Sequence, residues 1–374
     1  MRIVLFCHSL ISDWNHGNAH FLRGVASELL ERGCDVVVYE PRDGWSRQQL
    51  LTDAGPAAIA GFHKAFPELS PRVVDVDALN LDEALVGADV VIVHEWSSHA
   101  LVRRIGRHKA RGGRYALLFH DTHHRSVTDV TSMARYELDA YDGVLAFGEI
   151  IRQEYLSLGW TRRAWTWHEA ADIRVFKPMP SDAAKDDLVW IGNWGDDERS
   201  QELRDYLIEP VRRLGLRATV HGVRYPDEAV RELTEAGVRY QGWLPNYETP
   251  HVYARHRATV HIPRRPYVAS LPGIPTIRVF EALACGIPLV SAAWDDSEHL
   301  FTPGEDFLVA STPEEMRLHL AAVLADEGLR TALCQRGLDV IRRRHTCAHR
   351  VDELLAIVAE VHGGRPYPQE AVSV

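Results

Sequence analysis

Glu281 sits in the segment GIPTIRVFEALACGIPLVS, which begins at Gly273 and places an acid one and a half turns into a short apolar helix. Pro275 and Thr276 mark the helix start, and Gly286 marks its stop. The first N–H groups of such a helix, at Thr276 and Ile277, have no partner within it and attract a phosphate. A carboxylate at Glu281 can accept hydrogen bonds from a ribose diol. The same residues also read as a plain helix packed on a sheet, with a surface glutamate. Two further segments offer cations near this one. In WIGNWGDDERSQEL, Gly192, Asn193 and Gly195 allow close backbone approach, and Arg199 can reach a diphosphate. The alternative there is an ordinary turn before a helix capped by its acids. In HIPRRPYV, Arg264 and Arg265 can neutralise charge growing on a leaving diphosphate, or simply form a solvated basic loop.

The first half of the chain supplies acid–base groups. ADVVIVHEWSSH places His94 and Glu95 directly after an apolar run, where a histidine titrating near neutrality can bind sugar hydroxyls or act as a base. RYALLFHDTHHR sets His120, Asp121, His123 and His124 after the next run. Four polar residues in five positions cannot easily all face one ion, so a polar cleft wall is expected in preference to a metal site, with Asp121 as a second base or hydroxyl binder. His16, Gly17 and Asn18 form a turn before the first helix and are assigned to the acceptor side, with Glu95 and His120. The run HEAAD from His168 lacks the second histidine of HExxH, and His168 and Glu169 are assigned to the interdomain hinge.

FEALACGIPLVS resembles the donor-binding signature of GT-B glycosyltransferases, in particular the CgeB-like branch of the "glycosyl transferases group 1" family. GEDFLVASTPEEM and HTCAHRVDELL resemble the rest of that family's C-terminal domain, so the likeness spans roughly 188–358 and extends more loosely through the first half. The resemblance implies two Rossmann-like domains, a ribose held by Glu281 and no required metal. The His94-Glu95 pair resembles one that ends the equivalent strand in family 4 enzymes, where the histidine approaches sugar or acceptor. Those retaining enzymes also carry a glutamate eight positions before the one in the signature; here that position is Gly273. The backbone of Pro272–Thr276 is expected to do part of its work, which leaves the stereochemical outcome open.

Short β-rich runs alternating with helix-period stretches are the pattern of parallel βαβ units. Strands are predicted at 3–7, 36–39, 73–76, 90–93, 116–119, 143–146 and 164–167, then at 188–191, 218–221, 238–241, 259–262, 288–291 and 307–309. Helices are predicted at 20–31, 98–110 and 149–158, then at 201–214, 227–236, 277–285, 313–325, 327–343 and 347–362. The fold class is therefore α/β of GT-B architecture, with two parallel sheets facing across a cleft. Residues 1–170 form the acceptor domain, 171–186 a linker, 187–358 the donor domain and 359–374 a tail.

A formal net charge of −10 argues against general affinity for nucleic-acid phosphates. Five scattered cysteines without a CxxC pair suggest neither a disulfide framework nor a zinc site, and fit a reducing, cytoplasmic setting. The N-terminal apolar run is too short for a signal peptide, and no stretch approaches a membrane span, which leaves peripheral membrane contact open. The expected activity is transfer of a sugar from a nucleotide-diphosphate sugar (UDP-, GDP- and dTDP-sugars all stay open) to an unidentified acceptor, with no cofactor and no metal. A sugar-nucleotide epimerase and a non-catalytic nucleotide-sugar or glycan-binding protein are the alternatives. Oligomeric state is not legible.

Overall fold

The computed structural model describes residues 1–363. The first parallel sheet contains β1 (Arg2–Phe6), β2 (Asp35–Pro41), β3 (Arg72–Val74), β4 (Val90–His94), β5 (Ala116–Asp121), β6 (Gly143–Ala146) and β7 (Ala164–Thr166). Their spatial order is β3-β2-β1-β4-β5-β6-β7. The second contains β8 (Asp186–Ile191), β9 (Ala218–His221), β10 (Val238–Tyr240), β11 (His256–His261), β12 (Leu289–Ala292) and β13 (Leu308–Ala310), in the order β10-β9-β8-β11-β12-β13. Helices cover both faces, so the central strands are buried on both sides and read as unbroken apolar runs. Every residue of β4 and of β5 is buried.

The predicted helix at 201–214 is interrupted. Ser200–Leu203 is α-helical, Arg204–Ile208 widens into a π-turn, and Glu209–Leu214 resumes the α-helix. Pro210 has no N–H to continue the ladder, which accounts for the break beside it. In the first half, Trp45–Ala54 and Pro56–Ala65 are additional to the helices predicted, as are the single turns Leu81–Ala84, Arg125–Thr128 and Val130–Met133.

The halves are fastened in two places. The final helix, Cys347–Val361, packs on Ala19–Glu31 of the first domain, with Asp352 bonded to Arg32 at 2.5 Å and Glu360 accepting from Trp165 Nε1 at 3.0 Å. The predicted tail thus begins inside a helix, and 364–374 lie outside the described residues. The start of the 171–186 segment joins this contact: Phe176 stacks on His20 at 3.8 Å, and Arg174 reaches Glu28 and the Gly24 carbonyl.

At the second place, Leu271 and Ile274 enter the core around Phe147 and Ile151. A Cβ on Gly148 would lie 2.3 Å from Ile274 Cγ1. Gly148→Ala is expected to cost about 1–3 kcal/mol through overpacking at this junction, read as a lower denaturant midpoint. An unchanged midpoint would show that the loop yields freely.

Among the described residues no helix is long and apolar enough to cross a membrane, and all five cysteines are free.

Candidate active site

The carboxyl ends of the two sheets border a cavity of ≈ 900 Å³. In each sheet one strand has neighbours whose connections run opposite ways, β1 between β2 and β4, and β8 between β9 and β11. Loops leaving such a switch point diverge and open a crevice. The candidate segments after β1, β8 and β11 all lie there.

On the second-domain wall, Gly192 lies against Trp190, where a Cβ would come within 2.6 Å of the indole. Tyr225 Oη accepts from Trp190 Nε1 at 3.0 Å and donates to the Gly192 carbonyl at 2.8 Å. Gly195, at φ +86°, turns the chain so that Arg199 folds back over the Trp190 ring, 5.0 Å from its centre. Arg199 donates to the carbonyls of Ile262 at 3.1 Å and Asn193 at 2.6 Å. It is only 9 % exposed, yet among the described residues no carboxylate lies within ion-pair distance, and its Nε has no partner. Burial, then the Arg264 charge, pull its pKa down to about 9, which keeps it a cation at neutral pH. Arg264 also lines the cavity and pairs with Glu198 at 2.7 Å. Arg278 and Arg224 line it as well. Arg265 does not: it is half exposed and turned outward to Glu202.

Thr276 has extended backbone and no side-chain cap, and its hydroxyl bonds His261 Nε2 at 3.0 Å. Burial pulls the pKa of His261 down to about 3, so it is neutral. Of the segment assigned to the nucleotide, Thr276 and Ile277 line the cavity, but Glu281 does not. It is fully buried, with one oxygen accepting from Asn246 Nδ2 at 2.7 Å and bonded to His20 Nδ1 at 2.9 Å, and the other paired with Arg278. Burial pushes this carboxyl up, but the Arg278 charge and the bonds from His20 and Asn246 outweigh it and hold it below the usual range. The Glu281 side chain, expected at the ribose, thus turns toward the domain junction, and Arg278 is the residue of this helix turn that faces the cavity. Gly273 is also withdrawn from the cavity. At φ +87°, it leaves space that the Glu298 side chain fills, 2.6 Å from where a Cβ would stand.

On the first-domain wall, His16, Gly17 and Asn18, assigned to the acceptor side, line the cavity. Gly17 lies against Ile277, with 3.2 Å available to a Cβ, and Asn15 bonds Asn193 across the domains. His16 Nε2 and Asn18 Oδ1 are buried without partners among the described residues. His94, Glu95, His120 and Asp121, assigned as contact groups, stand behind this wall and do not line it. His94 Nδ1 accepts from the Trp96 N–H and Nε2 bonds Thr122 Oγ1 at 3.0 Å, so both nitrogens are used. Asp121 accepts from Tyr155 Oη at 2.8 Å and from the His123 N–H at 3.1 Å, and burial raises its pKa to about 6. Burial pulls that of His120 to about 3, and burial with the Asp121 charge pushes the Glu95 carboxyl up. A strand end fixes where a residue lies along the sheet but not which way its side chain points. Among the described residues no group of three or more histidine, cysteine, aspartate or glutamate side chains could hold a metal ion.

His168 bonds Glu298 at 2.7 Å between the domains, but Glu169 belongs to the cavity wall. It accepts from Asn18 Nδ2 at 2.6 Å and faces the Ile277 N–H at the helix start. The wall also includes His221, Gly222 and Arg224, which sequence reasoning passed over. They end and follow β9, so the strand-end rule that found the other loops applies equally to them.

Residues 200–356 match a family model described as "Glycosyl transferase-like". Sucrose-phosphate synthase from Thermosynechococcus elongatus is similar in structure, with TM-score 0.65 at 13 % identity over 98 % of this chain and 100 % of that one. Anabaena HepE in complex with UDP and glucose gives TM-score 0.67 at 14 % identity, covering 96 % and 99 %. T4 phage BGT in complex with its UDP-glucose substrate gives 0.61 at 10 %, also covering 96 % and 99 %. At these identities the likeness establishes the fold, two Rossmann-like domains in the GT-B arrangement. No curated protein matches the chain in sequence.

Proposed function

We infer that this glycosyltransferase, GT-B in fold and of the glycosyl transferase-like family over residues 200–356, takes its sugar from a nucleotide-diphosphate donor seated on the second domain and passes it to an acceptor on the first. The observation that carries this reading is the buried Arg199, without an ion-pair partner, beside Arg264 and the start of helix Ile277–Ala284, where Thr276 supplies no side-chain cap. A cation without a counter-ion in a closed wall is costly unless a ligand supplies the anion. The diphosphate does so, and its distal oxygens reach the open helix N–H groups. Arg264 is placed to take up charge as the nucleotide leaves, so we propose transfer without a metal ion. Gly192, Asn193 and the loop at Gly222 approach the nucleoside through backbone.

His16, with its unpartnered Nε2, replaces His94 as the group assigned to an acceptor hydroxyl. His94 positions it from behind, ring centres 6.2 Å apart. Closure of the two walls excludes the water that would hydrolyse the donor.

UDP, the nucleotide of two of the similar structures, is the first donor to test. In a thermal-shift screen of UDP, GDP, dTDP and ADP in EDTA, at about 100 times the dissociation constant, one nucleotide should add about 2.7 kcal/mol of stability. A flat response to all four would remove the donor assignment. A shift seen only with a divalent ion would remove the metal-free part.

A further inference from the structure

The cavity walls differ in charge. The second-domain wall carries Arg199, Arg224, Arg264 and Arg278, whereas the first-domain wall carries Asp43, Asp75 and Asp77 and neither lysine nor arginine. The same wall holds two indoles that are unusually open for their size: Trp45 is 45 % exposed and Trp96 is 43 % exposed. Both are fixed by neighbours. Trp45 meets Trp14 edge-on at 5.2 Å, and Trp96 is held by the Arg125 guanidinium 4.8 Å from its ring centre and by His123 at its edge. His8 lies between the two, 6.3 Å from each ring centre. A large apolar side chain that is pinned yet uncovered at a cavity wall marks a surface kept for a ligand. Indoles also join a flat apolar face to an N–H donor, which suits a ring that has one C–H face and a rim of hydroxyls.

We propose that Trp45 and Trp96, with Asp43, Asp75 and Asp77 at the rim, form the acceptor subsite, and that the group they receive is a saccharide ring without phosphate or carboxylate. Carboxylates at the rim accept hydrogen bonds from sugar hydroxyls and repel an anionic acceptor, including a nucleic-acid strand whose bases could otherwise stack on the same rings. The unpartnered His16 Nε2 and Asn18 Oδ1 lie on the same wall between this rim and the helix start at Ile277, where the transferred sugar would sit. The inference rests on the donor reading of the opposite wall, and the two can fail separately.

Saturation-transfer NMR on the full chain, with and without UDP, tests it using maltotriose, cellotriose, chitotriose and mannotriose as neutral probes, and trigalacturonate and a thymidylate trimer as anionic ones. At least one neutral trisaccharide should bind, and Trp45→Ala and Trp96→Ala should each weaken it about tenfold or more, while the thermal shift given by UDP is kept. Trp45→Phe and Trp96→Phe should retain most of the binding. In Asp75→Asn/Asp77→Asn the anionic trisaccharide should gain affinity. The proposal is overturned if no neutral probe binds, if trigalacturonate or the thymidylate trimer binds the unaltered protein as well or better, or if the alanine variants bind as before. A lost UDP shift with sugar binding intact would instead count against the donor assignment alone.

Discussion

An Arg199→Met protein should bind its nucleoside diphosphate roughly 30- to 1000-fold more weakly, the effect of removing one partner of a buried charge pair, and yet unfold no more easily than the unaltered protein when no ligand is present. The two halves of that expectation come from one arrangement. Without ligand, the guanidinium is nine-tenths buried, its neighbour Arg264 is also positive, and its hydrogen bonds go to two carbonyls, neither of which carries a full charge. Such a cation contributes little to the empty fold beyond its packing on Trp190, and methionine can reproduce much of that packing. Bound diphosphate changes the balance, because the ligand supplies the missing counter-charge where solvent screening is weak.

Calorimetric titration and denaturant unfolding of the same preparation separate the two effects. Weak binding together with an unchanged or raised midpoint fits a residue retained for its ligand at the expense of the empty fold. Weak binding with a lowered midpoint would mean that Arg199 holds the loop after β8 in place and affects the ligand only indirectly. Unchanged binding would remove it from the donor site. Arg264→Ala distinguishes a positioning cation from a catalytic one. It should reduce turnover by about 10²–10³, the usual scale for losing one stabiliser of developing charge, with a smaller effect on affinity because Glu198 balances Arg264 before the ligand arrives.

All thirteen strands were legible in the sequence, and for the central ones the reason is their burial. A parallel strand covered on both faces must be apolar at successive positions, so β4 and β5 appear as VVIVH and ALLFHD without any alternation to interpret. The long outer helices of the second domain could be read for the complementary reason, since each has one face turned to solvent, whereas Ile277–Ala284, buried almost all round, was marked by Pro275 and Gly286 at its limits. Trp45–Ala54 has no such stripe, and only Gly44 before it and Gly55-Pro56 after it hint at its limits. The loops of the site were legible because they follow strands, which is a property of the fold. The directions of their side chains were not. His94 and Asp121 lie at strand ends as expected, but the pleat and the local partners Thr122 and Tyr155 turn them away from the cavity. The direction of Glu281 was not legible because its partners, His20 and Asn246, come from segments 261 and 35 residues away in sequence, and no local pattern records such a meeting. Glu169, assigned to the hinge, lies three residues past β7 and faces a helix start of the second domain, a meeting that its own segment does not record.

That position makes the pH dependence of donor binding a direct test of the site. Burial, with a smaller contribution from the Glu281 charge, raises the Glu169 pKa to about 8, against an ordinary value of 4.5. The folded protein therefore holds this proton more tightly than the unfolded chain does. Its contribution to stability is complete below about pH 4.5, falls as pH rises toward 8, and is gone above that, a change on the order of a few kcal/mol. Glu169→Gln should accordingly unfold at the same temperature as the unaltered protein near pH 4.5 and at a higher one near pH 9. Donor binding should follow the same group. Below pH 8 a neutral carboxyl shares the helix start with the diphosphate; above it a carboxylate bonded to the Ile277 N–H competes with the ligand for the donor that would hold it. Nucleotide affinity of the unaltered protein should then fall more steeply above pH 8 than that of Glu169→Gln, by about a further tenfold per pH unit. Any titration of Arg199 is common to both proteins and cancels in the comparison. Parallel pH profiles for the two would show that Glu169 does not stand where the phosphate binds.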